Sequence, residues 1–324
     1  SVGGMVRLQV FCGLVGVSLL HLSLADDLAK FMPPYDLTQR DTSSVRAGRF
    51  SGKVCLVTGG TSGIGADAVL HLAAEGCKVA FTGRRSAMGE SVEALVAAGG
   101  GSAKFIRADV SKMADCERMV KETVEWGGRL DAAFNNAGTS MAHGPMASTP
   151  LDDWKRIMST NLDGVFYSMR AEILYMVEAG GGAIVNCGSV LGRGAFAGAA
   201  TYATSKAAVT QLTRVAALDY ANHNIRINAV LPGVVYTELT TKYRTAPGQA
   251  KLFGQLHPGG RWVKPEEVSS AVAFLLSSDA SYINGEDLEV SSGLSRSMLP
   301  AHALKTLTAQ AMDAGDGEEL KVEL

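Results

Sequence analysis

Three side chains in the second half of the chain have the types and spacing for proton transfer to a substrate oxygen. Tyr202 and Lys206 are four residues apart, so on a helix they share one face. A phenol has an ordinary pKa of about 10, and a nearby ammonium stabilises the phenolate and moves that pKa toward neutrality. Ser189 precedes the pair by thirteen residues and supplies a second hydroxyl. Each residue alone also suits an ordinary surface or turn position, so the pattern needs independent support.

A glycine-rich turn in the first half of the chain has the form of a phosphate cradle. An apolar run that ends at Thr58 leads directly into Gly59, Gly63 and Gly65, and a helical pattern follows. Glycines permit a sharp turn and a close approach of the backbone, and the next helix presents free N–H groups to a pyrophosphate. The position of the turn between a strand and a helix makes it a specific signal for dinucleotide binding.

An alternation of strands and helices must position these residues. Seven apolar, strand-like runs alternate with helical stretches, at residues 54–58, 78–82, 103–107, 131–135, 183–187, 226–231 and 286–290. This predicts an α/β fold, a Rossmann-type doubly wound parallel sheet of about seven strands with helices on both faces. We expect one domain over residues 51–293, preceded by a linker or arm over 26–50 and followed by a loose polar tail over 294–324.

In combination, the two motifs resemble those of the short-chain dehydrogenase/reductase family. The resemblance extends over residues 53–293 and includes Asp109 and Val110 after the third strand. It also includes the run Asn135–Gly138 after the fourth strand and Thr237 after the sixth. It implies an oxidoreductase that interconverts a carbonyl and a secondary alcohol by hydride transfer with a nicotinamide cofactor.

The resemblance also implies a role for individual residues. In the family, the tyrosine is the general acid/base, the lysine holds the nicotinamide ribose, the serine bonds the reacting oxygen, and an asparagine supports a proton-relaying water. The matching catalytic set here is Asn161, Ser189, Tyr202 and Lys206. The implied cofactor-binding residues, besides Tyr202 and Lys206, are Gly59, Thr61, Ser62, Gly63, Ile64, Gly65, Arg84, Asp109, Val110, Asn136, Ala137, Gly138, Pro232, Gly233, Val235 and Thr237.

The choice between NAD(H) and NADP(H) is made at the end of the second strand, where an acidic residue would bond the ribose 2′-hydroxyl and repel a 2′-phosphate. This chain has Gly83 there, followed by Arg84 and Arg85. A guanidinium pairs well with phosphate, so NADP(H) is favoured over NAD(H). Ser62 is an argument for NAD(H), because many NADP(H)-specific relatives have a basic residue at that position.

Substrate selectivity is expected in three loops beyond the strand ends, residues 139–148, 190–201 and 236–262. The longest resembles a lid and carries the aromatic or imidazole side chains of Tyr243, Phe253, His257 and Trp262; a further histidine, His143, is in the first loop. These rings favour an apolar or ring-bearing substrate. Two other functions stay open: an NAD(H)-dependent alcohol, sugar or steroid dehydrogenase, and a dinucleotide-binding sensor or scaffold without turnover.

The composition favours a small-molecule substrate over a nucleic acid. The 324 residues are 47% hydrophobic and 19% charged, and the formal net charge of −2 gives no basic surplus. The family resemblance implies a homo-oligomer, a dimer or a homotetramer. Ser291 and Ser292 replace a frequent family motif near the C-terminal subunit contact, which leaves the oligomeric state open.

Both ends of the sequence carry targeting-like patterns. Within residues 1–25, Arg7 is followed by the apolar stretch 8–20 and then by small residues, as in a secretory signal peptide. A membrane anchor and a buried helix are the alternatives. Residues 321–324 read Lys-Val-Glu-Leu, one residue away from the retrieval address of the endoplasmic reticulum. We therefore expect a luminal protein that binds a retrieval receptor of the Lys-Asp-Glu-Leu type.

The five cysteines show no spacing typical of a metal site. Cys55, Cys77 and Cys187 lie in or beside apolar runs, where a small buried thiol is the ordinary interpretation. We therefore predict free thiols at these three positions and no bound metal.

Overall fold

The structure is a computed structural model, and it describes residues 35–140, 144–241, 243 and 249–297. The signal-like segment, the retrieval-like end and His143 lie outside these residues. None of the helices in the described ranges is long and apolar enough to cross a membrane.

A seven-stranded, fully parallel sheet forms the centre of the molecule, as predicted. Its strand order is β3-β2-β1-β4-β5-β6-β7. The strands are β1 Val54–Thr58, β2 Lys78–Gly83, β3 Ser102–Arg107, β4 Ala132–Asn135, β5 Gly182–Cys187, β6 Ile225–Pro232 and β7 Asp287–Val290. The bounds differ from the predicted ones by at most one residue at either end. Because the strand order reverses between β1 and β4, a crevice opens at their carboxyl ends, where such folds bind ligands.

Helices cover both faces of the sheet. They are α1 Gly63–Ala74, α2 Ser86–Ala98, α3 Met113–Gly127, α4 Leu151–Met158, α5 Gly164–Ala179, α6 Ala200–Asp219, α7 Gln249–Leu256 and α8 Pro265–Leu276. Cys55 and Val57 of β1 face a core shared with α1, α2 and α8, whereas Leu56 faces a core shared with α3, α5 and α6. This alternation is the period of two that a strand buried on both faces requires.

The prediction of free thiols is wrong for two of the three cysteines. Cys55 in β1 forms a disulfide with Cys77, which directly precedes β2, at a Cα–Cα distance of 6.4 Å. The register of the two parallel strands, with Cys55 opposite Val79, brings the two side chains together on the same face of the sheet. Sequence spacing does not reveal this register. Cys187 is a buried free thiol, as predicted.

The folded structure begins before Ser51, where the sequence pattern placed its start. Residues 35–50, which we call the arm, include a short 3-10 turn at Leu37–Gln39 and lie against α1 and α8. Phe50 is buried, and its backbone N–H donates to the carbonyl of Glu75 at the end of α1.

Candidate active site

A cavity of about 900 Å³ opens at the carboxyl ends of the strands. Its polar part is lined by the glycine-rich turn after β1 and by the segments after β2, β3 and β4. Its apolar part lies beyond the end of β5 and is lined by Leu191, Phe196, Leu239, Tyr243, Phe253 and Leu256. The predicted site residues line it, apart from Gly65 and Asn161, which lie behind its wall.

The glycine-rich turn has the geometry of a phosphate cradle. Gly59 has a φ of +66°, and a Cβ there would lie 2.8 Å from the Cα of Ala137. A Cβ on Gly65 would lie 2.2 Å from the carbonyl oxygen of Gly59. Side chains are therefore excluded at both positions, and the backbone runs directly into the N-terminus of α1 after Ser62. The unobstructed backbone and the helix N–H groups suit the pyrophosphate of a dinucleotide.

The segment after β4 locks this turn in place. The hydroxyl of Thr58 accepts hydrogen bonds from the N–H groups of Asn136 at 3.0 Å and Ala137 at 3.1 Å. The amide of Asn136 donates in return to the carbonyls of Thr58 and Gly59, each at 3.2 Å. The ends of β1 and β4 are thus held together at the cofactor end of the cavity by hydrogen bonds within the chain.

The surroundings of Gly83, the last residue of β2, show why a glycine ends that strand. A Cβ on Gly83 would lie 2.5 Å from the Thr61 side chain, so no acidic residue fits there without a shift of the turn. Arg84 is exposed and lines the cavity. Arg85 donates to the hydroxyl of Ser62 at 2.9 Å and pairs with Glu238 at 3.1 Å. The sequence reasoning missed Glu238, and its position next to Thr237 is the signal that could have suggested it.

The structure brings together Tyr202 and Lys206 of α6 and Ser189, which follows β5. Ser189 lies close enough to Tyr202 for its hydroxyl to lower the pKa of the phenol. The Nζ of Lys206 lies 5.7 Å from the centroid of the Tyr202 ring and donates to the carbonyl of Cys187 at 2.7 Å. Ser189 and Lys206 are buried and face the cavity beside Tyr202. The three groups therefore form one cluster between the polar and the apolar part of the cavity.

The electrostatics of this cluster differ from the expectation that Lys206 lowers the pKa of Tyr202. Burial raises the pKa of Tyr202, and the nearby hydroxyl of Ser189 offsets this only in part. Burial also lowers the pKa of Lys206. The reason is that both groups lose hydration, and the ammonium lies over the phenol ring and is bound to a backbone carbonyl. The phenol is thus held in its protonated form.

Asn161 lies in a π-helical turn, Ser159–Asp163, between α4 and α5. Its side chain is buried and bonds the backbone of Thr139 twice, accepting from the N–H at 2.8 Å and donating to the carbonyl at 3.2 Å. A Cβ on Gly138 would lie 3.4 Å from the oxygen of Asn161 and 3.8 Å from the Nζ of Lys206. Asn161 therefore reaches the neighbourhood of Lys206 from behind the cavity wall. Single π-turns of this kind are frequent at functional sites.

The aromatic residues of the long loop separate into two groups. Tyr243 and Phe253 line the cavity, with ring centroids 5.0 Å apart. Trp262 is buried behind them, and its indole N–H donates to the carbonyl of Ala250 at 2.8 Å. His257 is also buried, its ring accepting from the N–H of Val234 at 3.0 Å, and burial lowers its pKa. The imidazole is therefore a packing group in this loop.

The chain matches known proteins over the whole of this domain. A family model described as enoyl-(acyl carrier protein) reductase matches residues 59–295. Cyclohexanol dehydrogenase of Acinetobacter sp. (strain SE19) is 38% identical over 246 residues, which are 76% of this chain and 96% of that protein. Meso-2,3-butanediol dehydrogenase of Serratia marcescens is 37% identical over 77% of this chain and 97% of that protein.

A solved structure shows the same similarity in three dimensions. The crystal structure of levodione reductase superimposes with a TM-score of 0.73 at 35% identity and covers 76% of this chain and 98% of that one. The seven-stranded parallel sheet with helices on both faces agrees with this similarity. The chain is a carbonyl/alcohol oxidoreductase and belongs to the short-chain dehydrogenase/reductase family.

Proposed function

We propose that the protein interconverts an alicyclic secondary alcohol and its ketone with NADP(H), and that Tyr202 is the general acid/base. The observation that carries this proposal is the position of the Ser189, Tyr202 and Lys206 cluster. It lies where the glycine-lined polar part of the cavity meets the part lined by leucine and aromatic rings. A substrate carbonyl or hydroxyl in the apolar part therefore reaches the phenol and the Ser189 hydroxyl together.

The side chains divide the proton transfer between them. Ser189 donates a hydrogen bond to the substrate oxygen, and Tyr202 gives a proton to that oxygen during ketone reduction or removes it during alcohol oxidation. Burial keeps the phenol protonated, which suits it as the acid for reduction. Lys206, next to Tyr202, holds the ribose of the cofactor, and Asn161 supports a proton relay behind Gly138. The nicotinamide, when bound, supplies or accepts the hydride.

The preference for NADP(H) is supported by the two arginines after β2. Arg84 is exposed at the cavity, and Arg85 places a second guanidinium beside Ser62, the position at which many NADP(H)-specific relatives have a basic residue. The steric fit of Gly83 against Thr61 leaves no room for the acidic residue that would favour NAD(H). The pairing of Arg85 with Glu238 weakens this argument for Arg85 but does not affect Arg84.

The alicyclic substrate class is supported by the lining and by the relatives. The apolar wall has three leucines and three aromatic rings, which suits a ring without charge. Several relatives are named for alicyclic alcohols, among them the cyclohexanol dehydrogenase and a cyclopentanol dehydrogenase of Comamonas testosteroni, which is 38% identical.

The test is an initial-rate screen of cyclohexanol, cyclopentanol and their ketones with each cofactor. The rate is measured from the change in nicotinamide absorbance. Tyr202→Phe keeps the aromatic ring and removes the hydroxyl that transfers the proton, so turnover should fall by about 10³-fold or more. Dinucleotide binding, measured by calorimetry, should be retained. Tyr220→Phe, on the segment after α6, is the matched control and should keep full activity. Full activity of Tyr202→Phe would refute the role of the phenol.

We further propose a homo-oligomer in the endoplasmic reticulum lumen. Large apolar side chains are exposed on two helices that pack on the same core, Phe166 and Leu174 on α5 and Val215 and Leu218 on α6, which supports a subunit contact there. The disulfide between β1 and the start of β2 supports an oxidising compartment, because such bonds are rare in the cytosol. Retrieval by a receptor of the Lys-Asp-Glu-Leu type is part of the same proposal. Light scattering of the purified protein tests the oligomeric state. Microscopy of a tagged chain tests the location.

A further inference from the structure

The arm, residues 35–50, precedes the region that defines the family. The family model begins at Gly59, and relatives are matched over 96% or 97% of their length by 245 to 250 residues of this chain. The arm nevertheless packs closely against α1 and α8. The role of the arm therefore follows from its contacts with these two helices.

Buried ion pairs fix the arm to α1. The carboxylate of Asp67 has no exposed surface and accepts two hydrogen bonds from Arg40, at 2.9 and 3.2 Å. The carboxylate of Glu75, also without exposed surface, pairs with Arg49 at 3.2 Å and accepts from the N–H of Arg46 at 2.9 Å. Buried carboxylates are strongly destabilising without such partners. These ion pairs and hydrogen bonds hold the arm against α1.

Tyr35 of the arm joins three elements. Its hydroxyl donates to Asp67 of α1 at 2.6 Å and lies 3.0 Å from a carboxylate oxygen of Glu266 in α8. Burial and the two carboxylates raise its pKa, so the phenol stays protonated and remains a donor. Its ring makes an edge-to-face contact with Tyr236, at a centroid distance of 6.4 Å. Tyr236 directly precedes Thr237 of the cavity wall.

From Tyr236, ring contacts continue without interruption to the substrate end of the cavity. Tyr236 contacts Trp262 edge-to-face at 6.4 Å, and Trp262 contacts Phe253 at 6.1 Å. Phe253 then contacts Tyr243 at 5.0 Å, and both of these rings line the cavity. Each edge-to-face contact restricts the position of its neighbour. The arm is therefore connected to the substrate wall by one row of aromatic rings.

We propose that Tyr35 is a positioning residue for the substrate end of the cavity. Its ring braces Tyr236 and, through Trp262, sets the position of Phe253, while its hydroxyl and the ion pairs of the arm hold that ring in place. The proposal rests on the proposed function only where substrate kinetics are concerned. Its structural part concerns the environment of Trp262 and is tested without a substrate.

The structural test uses tryptophan fluorescence in a background that carries Trp126→Phe and Trp154→Phe, so that only Trp262 emits. Tyr35→Ala should raise acrylamide quenching of Trp262 by about two-fold or more, because an edge-to-face brace is lost. Tyr35→Phe keeps the ring and should leave quenching unchanged although the protein becomes less stable. Val120→Ala, in the core on the other face of the sheet, is the control for destabilisation alone and should also leave quenching unchanged.

The kinetic test uses cyclohexanol as the probe. Tyr35→Ala should raise the KM for cyclohexanol by about three- to ten-fold and leave the KM for NADP⁺ within about two-fold. Tyr236→Ala should have the same effect, and the double variant should be no worse than Tyr236→Ala. If Tyr35→Ala does not fold, Tyr35→Leu takes its place.

Two results would overturn the proposal. One is a folded Tyr35→Ala protein with the parent's quenching of Trp262, and the other is a double variant in which the two effects add. If the parent turns over neither alcohols nor ketones, the proposed function fails, and the quenching measurement alone then decides the role of Tyr35.

Discussion

The stability of this protein should depend on pH through one buried acid, Glu172 of α5. Its side chain has no exposed surface and accepts one hydrogen bond, from the amide of Asn135 at 2.9 Å. Within the described residues, its second oxygen has no hydrogen-bond partner. Burial therefore raises the pKa of Glu172 from 4.5 to about 7, and the hydrogen bond from Asn135 offsets this only in part.

The sign and size of the effect follow from these two pKa values. Below pH 4.5 the acid is protonated in both the folded and the unfolded chain, and the folded state has its full stability. As pH rises, the unfolded chain loses this proton first, so the free energy of unfolding falls until the folded protein also titrates. The difference between the pKa values amounts to a loss of about 3 kcal/mol above neutral pH.

Glu172→Gln tests this, because the amide keeps the shape and still accepts from Asn135 but does not titrate. The free energy of unfolding is measured in urea at about pH 5 and about pH 8, and the variant should gain about 2.5 kcal/mol relative to the parent between the two, since a small part of the loss has already occurred at pH 5. Glu178→Gln, exposed on the same helix, is the control for loss of one charge and should show no such gain. A difference between Glu172→Gln and the parent that stays constant with pH would refute the reasoning.

Three further predictions concern the cofactor end and the disulfide. Arg84→Ala should raise the KM for NADP⁺ by about ten-fold or more and change that for NAD⁺ by less than about two-fold, since only NADP⁺ has a ribose 2′-phosphate for the guanidinium. Gly65→Ala should abolish dinucleotide binding in calorimetry, because the new methyl group would lie 2.2 Å from a carbonyl oxygen of the turn. Replacing Cys55 and Cys77 by alanine should lower the free energy of unfolding by about 3 kcal/mol, and peptide mapping of the non-reduced parent should recover the two cysteines linked.

Each of these has a matched control in the chain. Arg107→Ala removes an exposed arginine at the end of the next strand and should leave both KM values unchanged. Gly99→Ala adds a methyl group whose closest neighbour is 3.5 Å away, and binding should persist. Cys116→Ala removes a buried free thiol without opening a cross-link. Equal effects of a variant and its control would contradict the corresponding prediction.

The sheet and the catalytic cluster were predictable because they depend on local patterns. The strands are short apolar runs bounded by polar or glycine residues. Such a run is by itself sufficient to predict a strand that is buried on both faces. Tyr202 and Lys206 are four residues apart on one helix, so their proximity follows from helix geometry. The glycine-rich turn likewise involves residues adjacent in sequence, such as Gly59 and Gly65.

The contacts that were not predicted join residues far apart in sequence. Tyr35 meets Glu266 across 231 positions, and Arg85 meets Glu238 across 153. Cys55 and Cys77 face each other only in one register of two parallel strands. Burial raises the pKa of Tyr202 and lowers that of Lys206, and no sequence spacing reveals how far either group is buried. Such pairings require the packed structure, because local periodicity contains no information about them.

The disulfide closes a covalent ring around the phosphate cradle. The segment between Cys55 and Cys77 contains the glycine-rich turn and the whole of α1, so this strand–turn–helix unit is a closed loop within the open chain. A peptide bond cut anywhere inside that loop leaves both fragments attached until a reductant is added. The part of the protein that binds the dinucleotide is therefore the part whose continuity after a proteolytic cut depends on the redox state of its surroundings.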